Sequence, residues 1–143
     1  MLHLDPEQVI AGSAETKRAL GWAKERLGRC PVLIASSSTP DQVAALQARH
    51  GRDAAGHAIE QAMADIAEGF VGAGVRRLVV AGGETSGVVD RLGIPGFLVG
   101  PEIAAGVSVL RAVAAENGDM LLALKSGNFG AAEFFGDALQ LMH

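Results

Sequence analysis

Apolar residues recur along this chain at two spacings, and the switches between them mark its elements. Ala14, Ala19-Leu20, Ala23 and Leu27 recur at helical spacing, with Ser13 as a cap and Gly28 as a stop. Pro31 to Ser36 is a short continuous apolar run, the pattern of a strand covered on both faces. Asp41–His50 and Ala54–Gly74 read as helices, the second carrying Ile59, Met63, Ile66 and Phe70 on one stripe. Arg77–Ala81 predicts a second buried strand, Val88–Leu92 a helix, and Gly96–Gly100 a third strand. Val107–Ala115 and Met120–Lys125 are β-like around Asn117-Gly118, a two-residue hairpin signal. Ala131–Met142 closes as a helix, and Asp5-Pro6 near the start predicts a short capped one. This order predicts one α/β domain over residues 1–143, three-layered. Its sheet is expected to be mixed and mostly parallel, with an antiparallel hairpin at one edge.

Composition narrows the picture. With 49% apolar and 20% charged residues the chain can fill a core, which excludes intrinsic disorder. Five Phe, one Trp and no Tyr leave that core to Ala, Val, Leu and Ile, which suits layered helices and sheet. A net charge of −4 without a Lys/Arg run argues against nucleic acid or an anionic membrane as partner. No apolar stretch approaches the roughly 20 residues of a membrane span, and the first residues lack a signal-peptide pattern. A cytoplasmic protein is the expectation. Cys30 is alone, and no Cys/His spacing suits a metal, so no metal site is expected.

Glycine holds the functional information. Open α/β sheets bind ligands beyond the carboxyl ends of their strands. Three polar loops follow predicted strands: Ser36-Ser37-Ser38-Thr39, Gly82-Gly83-Glu84-Thr85-Ser86-Gly87, and Lys125-Ser126-Gly127-Asn128-Phe129-Gly130. Glycines let backbone N–H groups approach phosphate oxygens, hydroxyls add donors, and one lysine offsets charge. Gly82 and Gly87 have the two-glycine spacing of a Walker loop, but Val88-Val89 stands where Lys-Ser/Thr is required. Each loop has a second reading. Thr85 or Ser86 serves as a helix N-cap, Lys125 as a charge leaving a strand end, and Ser36–Thr39 as the cap of the Asp41 helix. His50 and His57 read as solvated helix positions, and Glu133 with Asp137 as a solvent face. No general base stands out.

Val79–Gly87, Ile94, Gly100-Pro-Glu-Ile103 and Leu122–Gly130 with Phe134-Phe135 together resemble the C-terminal nucleotide-binding domain of four-carbon acid sugar kinases. The likeness extends back through Pro31–Ser38 and covers nearly the whole chain. It implies ATP with Mg2+ as the phosphoryl donor and a small acid sugar such as erythronate, threonate or a 3-oxo-tetronate as acceptor. It also implies that Ser36 or Ser37, Gly82 to Thr85, and Lys125 to Gly127 line the nucleotide site. Such kinases carry an N-terminal acid-sugar domain that 143 residues do not accommodate. The chain is therefore expected to be inactive alone and to self-associate over surface that domain would cover. A non-catalytic nucleotide-binding or interaction module is the alternative. One departure from the family pattern is Ala105-Gly106-Val107-Ser108, where two prolines are usual; their loss is expected to loosen that turn.

Overall fold

A computed structural model of the chain describes residues 1–83, 85–113, 118–127 and 131–143. These fall into two compact units, Met1–Ala73 and Gly74–His143.

The first unit is mainly helical. Strands β1 (Leu2–His3) and β2 (Ile34–Ala35) pair in parallel, Leu2 with Ile34 and His3 with Ala35. Four helices accompany them: α1 (Pro6–Ala11), α2 (Ala14–Lys24), α3 (Pro40–His50) and α4 (Arg52–Gly72). Local chemistry starts two of these helices. Asp5 Oδ1 accepts from the Glu7 and Gln8 backbone N–H groups ahead of α1, with Pro6 in the first turn. Thr39 and Gln42 form a reciprocal capping box on α3: Thr39 Oγ1 accepts from Gln42 N at 3.3 Å, and Thr39 N donates to Gln42 Oε1 at 3.0 Å. Ser13 precedes α2 without a side-chain cap. Helix α4 packs on the other three through a largely alanine face, with Ile66 and Phe70 of the expected stripe buried and Ile59 and Met63 half-buried. At Gly69 a Cβ would stand 2.6 Å from Leu20 Cδ2, so glycine sets how closely α2 and α4 approach.

Glu15 on α2 is a buried carboxylate at 5% exposure. It takes a bidentate contact from Arg18 and a 2.7 Å bond from Asp5 N, while Arg18 also donates to His3 O. The Arg18 hydrogen bonds hold its carboxyl below the ordinary value near 4.5, against the opposing effect of burial. Glu15→Gln is expected to destabilise this unit by about 1–2 kcal/mol, since one acceptor oxygen and the ion pair are lost. The contribution is fully present above the ordinary value and declines as pH falls through the depressed one. Urea unfolding from about pH 6 to about pH 3 checks this: the wild type should converge on the variant at the acid end.

Among its described residues, the second unit is a four-stranded sheet with two helices. Its strands are β3 (Arg77–Ala81), β4 (Gly96–Ala104), β5 (Val107–Val113) and β6 (Leu121–Lys125), in the order β3-β6-β5-β4. Strands β3 and β6 are parallel, while β6–β5 and β5–β4 are antiparallel. Helix α5 (Thr85–Arg91) follows β3, and α6 (Phe134–Leu141) ends the chain. Val107, Val109 and Ala123 pack with Phe134, Ala138 and Met142 on one side of the sheet. Leu78, Val80, Leu122 and Ala112 alternate onto the other side and are buried too.

The α/β class and the mixed sheet stand as expected. Two details differ from the expected arrangement. The strand after Pro31 is reduced to Ile34–Ala35 and joins β1, not the sheet of Arg77–Ala81. Strand β4 runs on past Gly100 through Pro101 to Ala104, pairing with β5 by register shifts between Val99 and Ala104. Those shifts accommodate a proline that has no N–H to give. At the turn after β4, Gly106 takes φ +77° and donates to Glu102 Oε1 at 3.1 Å. Strands β5 and β6 pair antiparallel as expected, but in the interior of the sheet and with Leu110 opposite Leu122, a register not centred on Asn117-Gly118; residues 114–117 lie outside the described ones. Leu98 and Val99 on edge strand β4 are exposed. No helix among the described residues is long and apolar enough to cross a membrane.

Candidate functional site

Parallel pairing of β3 with β6 places Ala81 opposite Lys125, so the loops after these two strands leave the sheet side by side. Gly82 N donates to Lys125 O at 2.8 Å and joins them. Both loops then turn on glycines in the left-handed region, Gly82 at φ +112° and Gly127 at φ +80°, where an L side chain would be strained. Gly83 is exposed, and a Cβ on it would meet nothing within 4 Å among the described residues, which leaves room for a ligand against its backbone.

Thr85, Ser86 and Gly87 form the first turn of α5. The helix begins at Thr85, so Thr85 and Ser86 both stand within its first turn and not ahead of it as an N-cap. Thr85 is half-buried and Ser86 exposed. Glu84 and Asn128 lie outside the described residues.

Lys125 is the cation of this site, and its side chain is not a charge leaving the strand for water. At 9% exposure, its Nζ donates to Gly127 O at 2.8 Å and sits 5.5 Å from the centre of the Phe134 ring. Neither partner carries a negative charge. A buried ammonium is costly without an anion nearby, and none of the described residues supplies one, which suits a place where a phosphate arrives. Ser126 and Gly127 beside it are exposed. Backbone donors, three hydroxyls (Thr85, Ser86 and Ser126) and one cation thus fit an anionic, phosphate-bearing group.

Not all the expected residues are shown to meet. Gly82, Gly83, Thr85, Ser86, Gly87, Lys125, Ser126 and Gly127 gather on the ends of β3 and β6. Ser36 and Ser37 follow β2 in the first unit, half-buried and exposed respectively. In that loop the helix-capping role falls to Thr39, which leaves both serines outside the capping box. His50 is not merely a solvated helix position: its Nε2 lies 2.7 Å from Glu7 Oε2, and Arg49 contacts the same carboxylate. Among the described residues no cluster of His, Cys, Asp and Glu is arranged to hold a metal ion.

Comparison with known proteins adds to this geometry. The profile of the nucleotide-binding C-terminal domain family matches residues 1–135. A Methylobacterium radiotolerans protein named 3-oxo-tetronate kinase is 65% identical over 143 residues, which are 99% of this chain and 34% of that protein. A Cupriavidus necator protein of the same name is 46% identical over 140 residues, 97% of this chain and 32% of that one. The chain spans about a third of the length of these curated relatives. The crystal structure of a Haemophilus influenzae protein superposes with a TM-score of 0.87 at 39% identity, covering 98% of this chain and 34% of that one.

Proposed function

Because this chain belongs to the nucleotide-binding C-terminal domain family, we propose that it forms the ATP-binding part of a kinase acting on a four-carbon sugar acid. The acceptor is of the 3-oxo-tetronate, erythronate or threonate kind. One observation carries the reading: two glycine loops joined by the Gly82 N to Lys125 O bond, with a buried lysine whose ammonium sits on Gly127 O and no anion described beside it. The name borne by the relatives supports the substrate class. Phosphoryl transfer depends mainly on positioning and on neutralising phosphate charge. Gly82, Gly83 and the first turn of α5 would supply N–H and hydroxyl donors, and Lys125 the cation. Mg2+ would arrive with the nucleotide and offset part of its phosphate charge. The acid-sugar substrate is assigned to an N-terminal domain of the kind that the length of the relatives leaves room for.

Calorimetric and thermal-shift titration with Mg-ATP and Mg-ADP tests the reading. A ligand bound by the folded state alone stabilises it by about 2.7 kcal/mol at a hundredfold excess over Kd, a clear rise in Tm. Neither heat nor shift at millimolar nucleotide would remove the proposal.

Thr85→Val separates a ligand-facing hydroxyl from a structural one. The expected loss is about 1–2 kcal/mol of nucleotide affinity, the worth of a hydroxyl bonded to a charged oxygen. Urea stability should barely change. Unfolding of the variant with unaltered affinity would assign Thr85 to the helix start instead.

A further inference from the structure

Phe134 and Phe135 belong to the motif set that marks this chain, yet neither carries a polar atom for a nucleotide. Phe134 opens α6 and is buried at 4% exposure against Val107, Val109, Ala123, Ala138 and Met142. Packing alone accounts for a large apolar side chain there. It does not account for an ammonium placed over the ring, 5.5 Å from its centre, when leucine would fill similar space. Phe135 meets Phe134 edge to face, with ring centres 5.8 Å apart and planes 77° apart, which steadies the ring.

Lysine is a flexible point charge with three donors, and nothing intrinsic to it selects a direction. Two contacts do so here: the Gly127 carbonyl holds one donor, and the electron-rich face of Phe134 attracts the whole ammonium. Both are uncharged and leave the positive charge available. Desolvation strengthens the ring contact, because water no longer competes for the cation. Among the described residues, the cation is thereby aimed without being neutralised.

We infer that Phe134 is a positioning residue of the nucleotide site, fixing the Lys125 ammonium beside the paired glycine loops so that it meets a phosphate already in place. The inference rests on the nucleotide reading above. It assigns a role in the site to the start of α6, whose remaining buried residues serve the core. Phe134 touches no phosphate itself; it acts through Lys125.

A double-mutant cycle on the full chain tests this, with Phe134→Leu, Lys125→Met and the double variant titrated against Mg-ADP. Phe134→Leu should weaken binding about tenfold in the wild-type background. In the Lys125→Met background it should change affinity by less than about twofold, because the group it acts on is gone. NMR supplies a readout independent of nucleotide. The Lys125 Hε resonances, assigned by their absence from Lys125→Met, should show a ring-current shift that Phe134→Leu abolishes. Should Phe134→Leu fail to fold, Phe134→Met keeps more of the side-chain volume and removes the ring. Equal losses in both backgrounds would mean general packing damage and overturn the inference. An unchanged wild-type-background affinity would overturn it while leaving the nucleotide reading intact. Failure of the wild type to bind Mg-ADP would remove the nucleotide reading and this inference together.

Discussion

Given ATP, Mg2+ and erythronate, threonate or a 3-oxo-tetronate, the 143-residue chain alone is expected to release no ADP above the uncatalysed rate. Aligning two reactants contributes on the order of 7–11 kcal/mol to barrier reduction, and that contribution requires a site for the acceptor. The joined loops after β3 and β6 offer donors and a cation, which suit a phosphate. They present no described carboxylate placed to take a proton from a sugar hydroxyl. Relatives bearing the kinase name are about three times as long, so the acceptor's groups have room elsewhere in such proteins. A coupled assay for ADP checks the expectation. Adding a separately expressed N-terminal domain from a longer relative should raise the rate if the two surfaces still match. Robust turnover by the chain alone would show a complete acceptor site within it. Asp90, exposed on α5, and Glu84 would then be the first carboxylates to test as the base.

Lys125→Met is expected to weaken Mg-ADP and Mg-ATP by about 2–3 kcal/mol, or roughly 30- to 150-fold. The lysine is buried beside Gly127 O, so its bond to a phosphate oxygen forms where water competes little. Methionine keeps the length and apolar stem and removes only the charge and donors. Stability should therefore change by about 1 kcal/mol or less, the worth of the carbonyl contact that is lost. Binding of adenosine, which has no phosphate, should not change. Calorimetry with ADP and adenosine in parallel reads both halves of the expectation. Equal affinity of wild type and variant for ADP would leave Lys125 as a structural residue and move the phosphate elsewhere.

Turns, caps and long elements were legible because residues within about four positions decide them. Asp5 with Pro6, and Thr39 with Gln42, start their helices by bonds to their own backbone neighbours. Arg77–Ala81 is apolar from Leu78 onward, and it forms β3 with those boundaries. Strands β1 and β2 were harder: two residues each carry no periodicity, and only pairing across the first unit makes them strands. Pro101 hid the second half of β4, since a proline ordinarily ends a strand and here a register shift takes it up.

By itself the sequence determined the materials of the site: glycines at Gly82, Gly83 and Gly127, hydroxyls at Thr85 and Ser86, and a lysine closing an apolar strand. Residue type sets which backbone angles and which charges are available, and those properties need no neighbour in space. Only tertiary structure decided that the Gly82 and Lys125 loops are adjacent, because their contact follows from β6 inserting between β3 and β5. It also decided that Lys125 is buried against Phe134, a consequence of α6 folding back over the sheet. Strand order and helix docking are chosen by the packing of apolar faces far apart in the chain. No local pattern records which partner wins.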